Sequence, residues 1–126
     1  MFNITAIPAL QDNYIWAIHN TQQVVVVDPG DALPVLDFLS KHNLKLTAIL
    51  CTHRHPDHIG GIAKLRAEYH VPVYGRSHPN NSHITNDLRE GEKIALAEFN
   101  LTFDILELPG HLDDHIAFVN PGILFC

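Results

Sequence analysis

The sequence predicts a layered α/β domain, and three features carry that expectation. Val24-Val25-Val26-Val27 is continuously apolar, as in a strand covered on both faces. Val35, Leu36 and Leu39 recur at helical spacing soon after it. Strand-like and helix-like stretches then alternate as far as Tyr74, the pattern of strands layered against helices.

In chain order, Asn3 to Ile7 reads as a first strand ended by Pro8. Gln11-Asp12-Asn13 is a turn, and Tyr14 to Ile18, rich in aromatic and β-branched residues, is a second strand. Asn20-Thr21-Gln22 turns the chain into the valine strand, Gln23 to Val27, which Asp28-Pro29-Gly30-Asp31 stops. Asp31 can N-cap a helix that tolerates Pro34 in its first turn and ends near Asn43. Leu46 to Cys51 is the next strand, and Ile62, Leu65 and Tyr69 mark one face of a second helix. Val71 to Tyr74 is a short strand, and the polar stretch Gly75 to Asn86 reads as a loop. Glu92 to Leu96 and Leu101 to Leu108 form a hairpin, and His115 to Val119 pairs with Ile123 to Cys126 through Asn120-Pro121-Gly122.

At 126 residues the chain supports one domain with one core, and 46% hydrophobic residues argue for a globular protein. A net charge of -6 argues against a nucleic-acid partner. No stretch is long and apolar enough to span a bilayer, and Met1 to Leu10 lacks the basic region of a secretory signal. Two cysteines make no disulfide framework, so the expected compartment is the reducing cytoplasm.

The chemistry concentrates in Thr52-His53-Arg54-His55-Pro56-Asp57-His58-Ile59-Gly60-Gly61, between a buried strand and a helix. Neutral imidazoles and carboxylates ligate zinc and similar divalent metals. His53 and His55 alternate along extended chain and can face one ion, while Asp57 and His58 can face a neighbouring position. Two ions about 3.5–4 Å apart would make a two-metal hydrolytic site.

Thr52-His53-x-His55-x-Asp57-His58, with Gly60-Gly61, resembles the signature of the metallo-β-lactamase fold superfamily. Asp12-Asn13-Tyr14-Ile15-Trp16, Val27-Asp28-Pro29-Gly30-Asp31, and Leu108-Pro109-Gly110-His111 with His115-Ile116 are similar to the corresponding motifs of glyoxalase II, the hydroxyacylglutathione hydrolases. The resemblance implies the N-terminal part of an αββα sandwich, with residues 1–126 a partial domain and the family's helical C-terminal substrate-binding domain absent. It implies zinc, two ions in the intact family, with iron or manganese as substitutes and one ion retained here. His53, His55 and His111 would hold the first metal, and Asp57 and His58 the second. Asp57 would also position the attacking water, Asp28 would orient a ligand or loop, and His115 would be structural or would support a ligand from behind. The implied reaction is hydrolysis of S-D-lactoylglutathione to D-lactate and glutathione, which detoxifies methylglyoxal. The alternatives are a metal-binding fragment without turnover and a lactonase- or β-lactamase-type hydrolase on the same fold.

Three departures stand out. Arg54 fills a position that is often histidine in this family. Leu112-Asp113-Asp114 replaces a threonine-containing stretch, which makes either carboxylate a less favoured candidate ligand. The chain stops where the family's strand runs into a metal-bridging aspartate, so the second ion is expected to bind weakly and exposed sheet surface to favour self-association.

Overall fold

In the computed structural model, residues 1–108, 110 and 113–126 are described. A six-stranded sheet of order β1-β2-β3-β4-β5-β6 packs against a four-stranded sheet of order β10-β9-β8-β7. The first sheet comprises β1 (Asn3–Ala9), β2 (Asn13–His19), β3 (Gln23–Val27), β4 (Lys45–Leu50), β5 (Val73–Gly75) and β6 (Asn86–Asp87). β1, β2 and β3 are antiparallel neighbours, and β3 through β6 run parallel. The second sheet comprises β7 (Lys93–Leu96), β8 (Leu101–Glu107), β9 (Ile116–Asn120) and β10 (Ile123–Phe125), all antiparallel. The helices are α1 (Ala32–His42), the single turn α2 (Pro56–Ile59) and α3 (Ile62–Tyr69).

The valine strand shows why the layers form. Val24 and Val26 enter a core with Val35, Phe38 and Leu39 of α1 and Ile62 and Leu65 of α3. Val25 and Val27 point the other way, into a second core with Phe103, Ile105, Ile116 and Phe118 of the facing sheet. Burying both faces of β3 excludes water from Val24 to Val27, with each large apolar side chain contributing about 1.5–3 kcal/mol. The outer face of the second sheet, with Lys93, Thr102, Asp104 and Leu106, is exposed.

α1 starts where Asp31 accepts a hydrogen bond from the Leu33 amide and ends at Asn43 in the left-handed conformation, as its sequence predicts. Three expectations need correction. The one core expected from the chain's length is two, one on each face of the six-stranded sheet. β1 continues through Pro8 to Ala9, because β1 is an edge strand and tolerates a residue without an N–H. The stretch read as a loop ends in a short strand, β6, held to β5 by bonds from the Thr85 amide to the Val73 carbonyl and from the Leu88 amide to the Gly75 carbonyl. Two residues without β-branched side chains leave no alternation to read.

Candidate metal centre

β3 and β4 are parallel neighbours, so their C-terminal ends open on the same side of the sheet, where ligands collect in open α/β folds. Asp28 follows β3 and the histidine loop follows β4. Asp28 adopts the left-handed conformation (φ 54°), which aspartate tolerates better than most residues. Its amide donates to the Leu50 carbonyl at 2.9 Å, and its buried carboxylate turns across to the loop. Oδ1 accepts from the Thr52 amide at 2.7 Å, and Oδ2 accepts from Thr52 Oγ1 at 2.6 Å. His58 Nδ1 lies 3.0 Å from the same Oδ2.

These bonds set the imidazoles. His58 donates its Nδ1–H to Asp28, which leaves Nε2 to carry the ligating lone pair. Thr52 Oγ1 donates its only proton to Asp28, so it accepts from His53 Nδ1 at 2.8 Å, and His53 Nε2 is likewise the ligating atom. Burial, reinforced by the neighbouring His58 ring, pulls the His53 imidazole down to about 4, so it is neutral at pH 7. The hydrogen bond to Asp28 pushes His58 above its ordinary value.

His53 is the hub of the cluster. Its ring centroid lies 4.2 Å from His58, 4.8 Å from His55 and 4.6 Å from His115. His55 precedes Pro56, which opens α2, and Asp57 and His58 sit on that single turn. Asp57 Oδ2 accepts from Asn13 Nδ2 at 2.9 Å, a bond that holds its carboxyl below the usual range, and lies 3.6 Å from His58 Nε2. Asn13 opens β2 and reads in the sequence only as part of a turn and a family motif. No local pattern indicates that it reaches residue 57. His115, expected to be structural or to support a ligand, is brought against His53 by β9, whose Ile116 amide donates to the Thr52 carbonyl at 2.9 Å. His111 lies outside the described residues.

Among the described residues the tightest group of candidate ligand atoms is Asp28, His53 and His58, all within 4.8 Å of one another. The Asp28 oxygens already accept from Thr52 and His58, so its chemistry suits orientation better than ligation. Two nitrogens aimed by one buried carboxylate, with a further imidazole and an exposed carboxylate close by, suit a divalent transition metal.

Glycines bring the two loops together. A Cβ on Gly30 would lie 1.9 Å from the Asp57 carbonyl oxygen, and one on Gly61 would lie 2.5 Å from the Ala32 amide nitrogen. The Gly61 amide also donates to the Pro29 carbonyl at 2.8 Å. Beneath the loop, Cys51 is buried and donates to the His53 carbonyl at 3.2 Å, and burial pushes its thiol far up. Ellman's reagent should therefore label Cys126 alone in the native protein and both cysteines in denaturant. Rapid native labelling of both would contradict the packing beneath the loop.

Residues 10–126 match the metallo-beta-lactamase superfamily, and the chain belongs to that family. Within it, similar curated proteins include hydroxyacylglutathione hydrolases. That of Nitrosomonas eutropha is 44% identical over 126 residues, covering 100% of this chain and 49% of the relative. That of Vibrio campbellii is 49% identical over 128 residues, covering 100% and 50%. The chain thus spans about half the length of the curated relatives it matches. Among solved structures, ETHE1 from Myxococcus xanthus superposes with a TM-score of 0.74 at 29% identity, covering 94% of this chain and 53% of that one. BLEG-1, a B3 metallo-beta-lactamase, superposes at 0.76 with 23% identity, covering 94% and 66%, which supports the fold alone.

Proposed function

We propose that this chain carries the metal centre of a glutathione thioester hydrolase that converts S-D-lactoylglutathione to D-lactate and glutathione. The observation that carries this reading is the relay His53–Thr52–Asp28–His58, which presents two Nε2 lone pairs in a chain 44% identical to a hydroxyacylglutathione hydrolase. His53, His55 and His111 would hold one ion, and Asp57 and His58 a second, with zinc preferred and iron or manganese compatible with the same donors. Such an ion supplies Lewis acidity and lowers the pKa of water.

Asp57 is exposed, ionised and pinned by Asn13, so it can orient the attacking water and take its proton. Water adds to the thioester carbonyl carbon, the C–S bond breaks, and the sulfur leaves as a thiolate. A thiolate is stable enough to leave with little acid assistance, and no general acid is assigned. We further propose a single partial domain over residues 1–126, a cytoplasmic location, and self-association through exposed sheet surface near Leu106 and Leu124.

Thiol release from S-D-lactoylglutathione, followed with added zinc, tests the reading. Zinc-dependent release is expected, falling by about 100-fold or more in Asp57→Asn. No release from folded, zinc-loaded protein, or release unchanged by that substitution, would sink it.

A further inference from the structure

The two sequence departures beside the metal motifs meet each other in space. Arg54, between His53 and His55, places Nη1 2.7 Å from Asp113 Oδ1 and 2.9 Å from Asp114 Oδ1. The Asp114 side chain is 1% exposed, and that of Arg54 is 22% exposed. Among the described residues Arg54 is the one cation paired with Asp114, whose Oδ2 has no hydrogen-bond partner there. Asp113, at the surface, also receives His78 Nε2 at 3.2 Å. The hydrogen bond from Arg54 holds the Asp113 carboxyl below the usual range, and Asp113 in turn raises the guanidinium.

A buried carboxylate with one cationic partner is costly to leave alone, so the loop bearing Arg54 and the segment bearing Asp114 are bound to move together. That segment leads directly to His115, whose ring centroid lies 4.6 Å from that of His53, and to the bond between the Ile116 amide and the Thr52 carbonyl. We infer that Arg54 and Asp114 are positioning residues: their ion pair locks the stretch from Asp113 to Ile116 onto the histidine loop and so holds the centre in register. One guanidinium nitrogen, Nη1, reaches both carboxylates at once. This inference rests on the metal reading above.

The test is zinc affinity, measured by competition with a chromophoric chelator, for wild type, Arg54→Ala, Arg54→Lys, Asp114→Asn and the double variant Arg54→Ala/Asp114→Asn. Circular dichroism fixes the folded fraction of each. Each of Arg54→Ala and Asp114→Asn should weaken zinc by about 10–100-fold, as loss of groups orienting a metal site does. The double variant should bind no worse than the weaker single, because either change already breaks the lock. Arg54→Lys should recover part of the loss, and hydrogen exchange at the Ile116 amide should quicken in Arg54→Ala. If Arg54→Ala does not fold, Arg54→Lys combined with Asp114→Asn gives the same non-additivity test. Zinc binding within about twofold of wild type in the single variants, or losses that multiply in the double, would overturn the lock. A wild type that binds no zinc would instead remove the metal reading, and the positioning role with it.

Discussion

Asp28→Ala should destabilise the protein by about 3 kcal/mol or more and weaken metal binding by about 10–100-fold. The carboxylate accepts from the Thr52 amide, the Thr52 hydroxyl and His58 Nδ1, and it is buried. Alanine leaves a buried amide unsatisfied, at about 1–3 kcal/mol, and puts a residue with no local side-chain hydrogen bond into a left-handed backbone that costs about 1–2 kcal/mol. It also releases both tautomers: His53 loses the hydroxyl that Asp28 polarised, and His58 loses its tether. Asp28→Asn keeps the backbone preference and one acceptor but turns an NH₂ toward two donors. The melting temperature of Asp28→Asn should lie between wild type and Asp28→Ala, with metal affinity closer to the alanine variant. Equal metal affinity in wild type and Asp28→Ala would show that the relay does not aim the imidazoles.

Gly30→Ala should produce the second large loss. The added methyl would sit 1.9 Å from the Asp57 carbonyl oxygen, and backbone on both sides leaves no flexible side chain to yield. Overpacking of this kind costs about 3 kcal/mol, which corresponds to a fall of about 10 °C in melting temperature for a domain of this size. Separating the two loops also moves Asp57 away from Asn13, so metal binding should suffer with stability. Gly122→Ala is the control, since a Cβ there meets nothing within 4 Å and should leave the melting temperature unchanged. Equal melting temperatures for Gly30→Ala and wild type would mean that the two loops are not in contact.

What could be read from the sequence depended on the range of each interaction. The valine run announced a strand covered on both faces because burial leaves apolar side chains at consecutive positions, and Val24 to Val27 do alternate between two cores. Asp31 and Asn43 announced the ends of α1 through capping, a contact between near neighbours. β6 escaped because two residues make no period, and Pro8 misled because an edge strand has no outer partner to demand its N–H. At the site, His53, His55, Asp57 and His58 stood together in one motif. The bonds that organise them span the fold: Asp28 to Thr52, Asn13 to Asp57, and Arg54 to Asp114. The resemblance supplied an orienting role for Asp28, whereas the partners of Asn13 and Arg54 emerged only when β2 of one sheet and β9 of the other brought distant residues to the histidine loop.

If imidazoles aimed by Asp28 hold a divalent metal in the histidine loop, metal-free protein should take up zinc there and nowhere else of comparable affinity. Calorimetric titration with zinc decides this, run on wild type beside His53→Ala and His42→Ala. His42 is exposed at the far end of α1, about 15 Å along the helix from Asp31. Saturable zinc binding that survives His42→Ala and is lost in folded His53→Ala is the predicted result. Absence of zinc binding by the wild type, or binding that His53→Ala leaves intact, would contradict it.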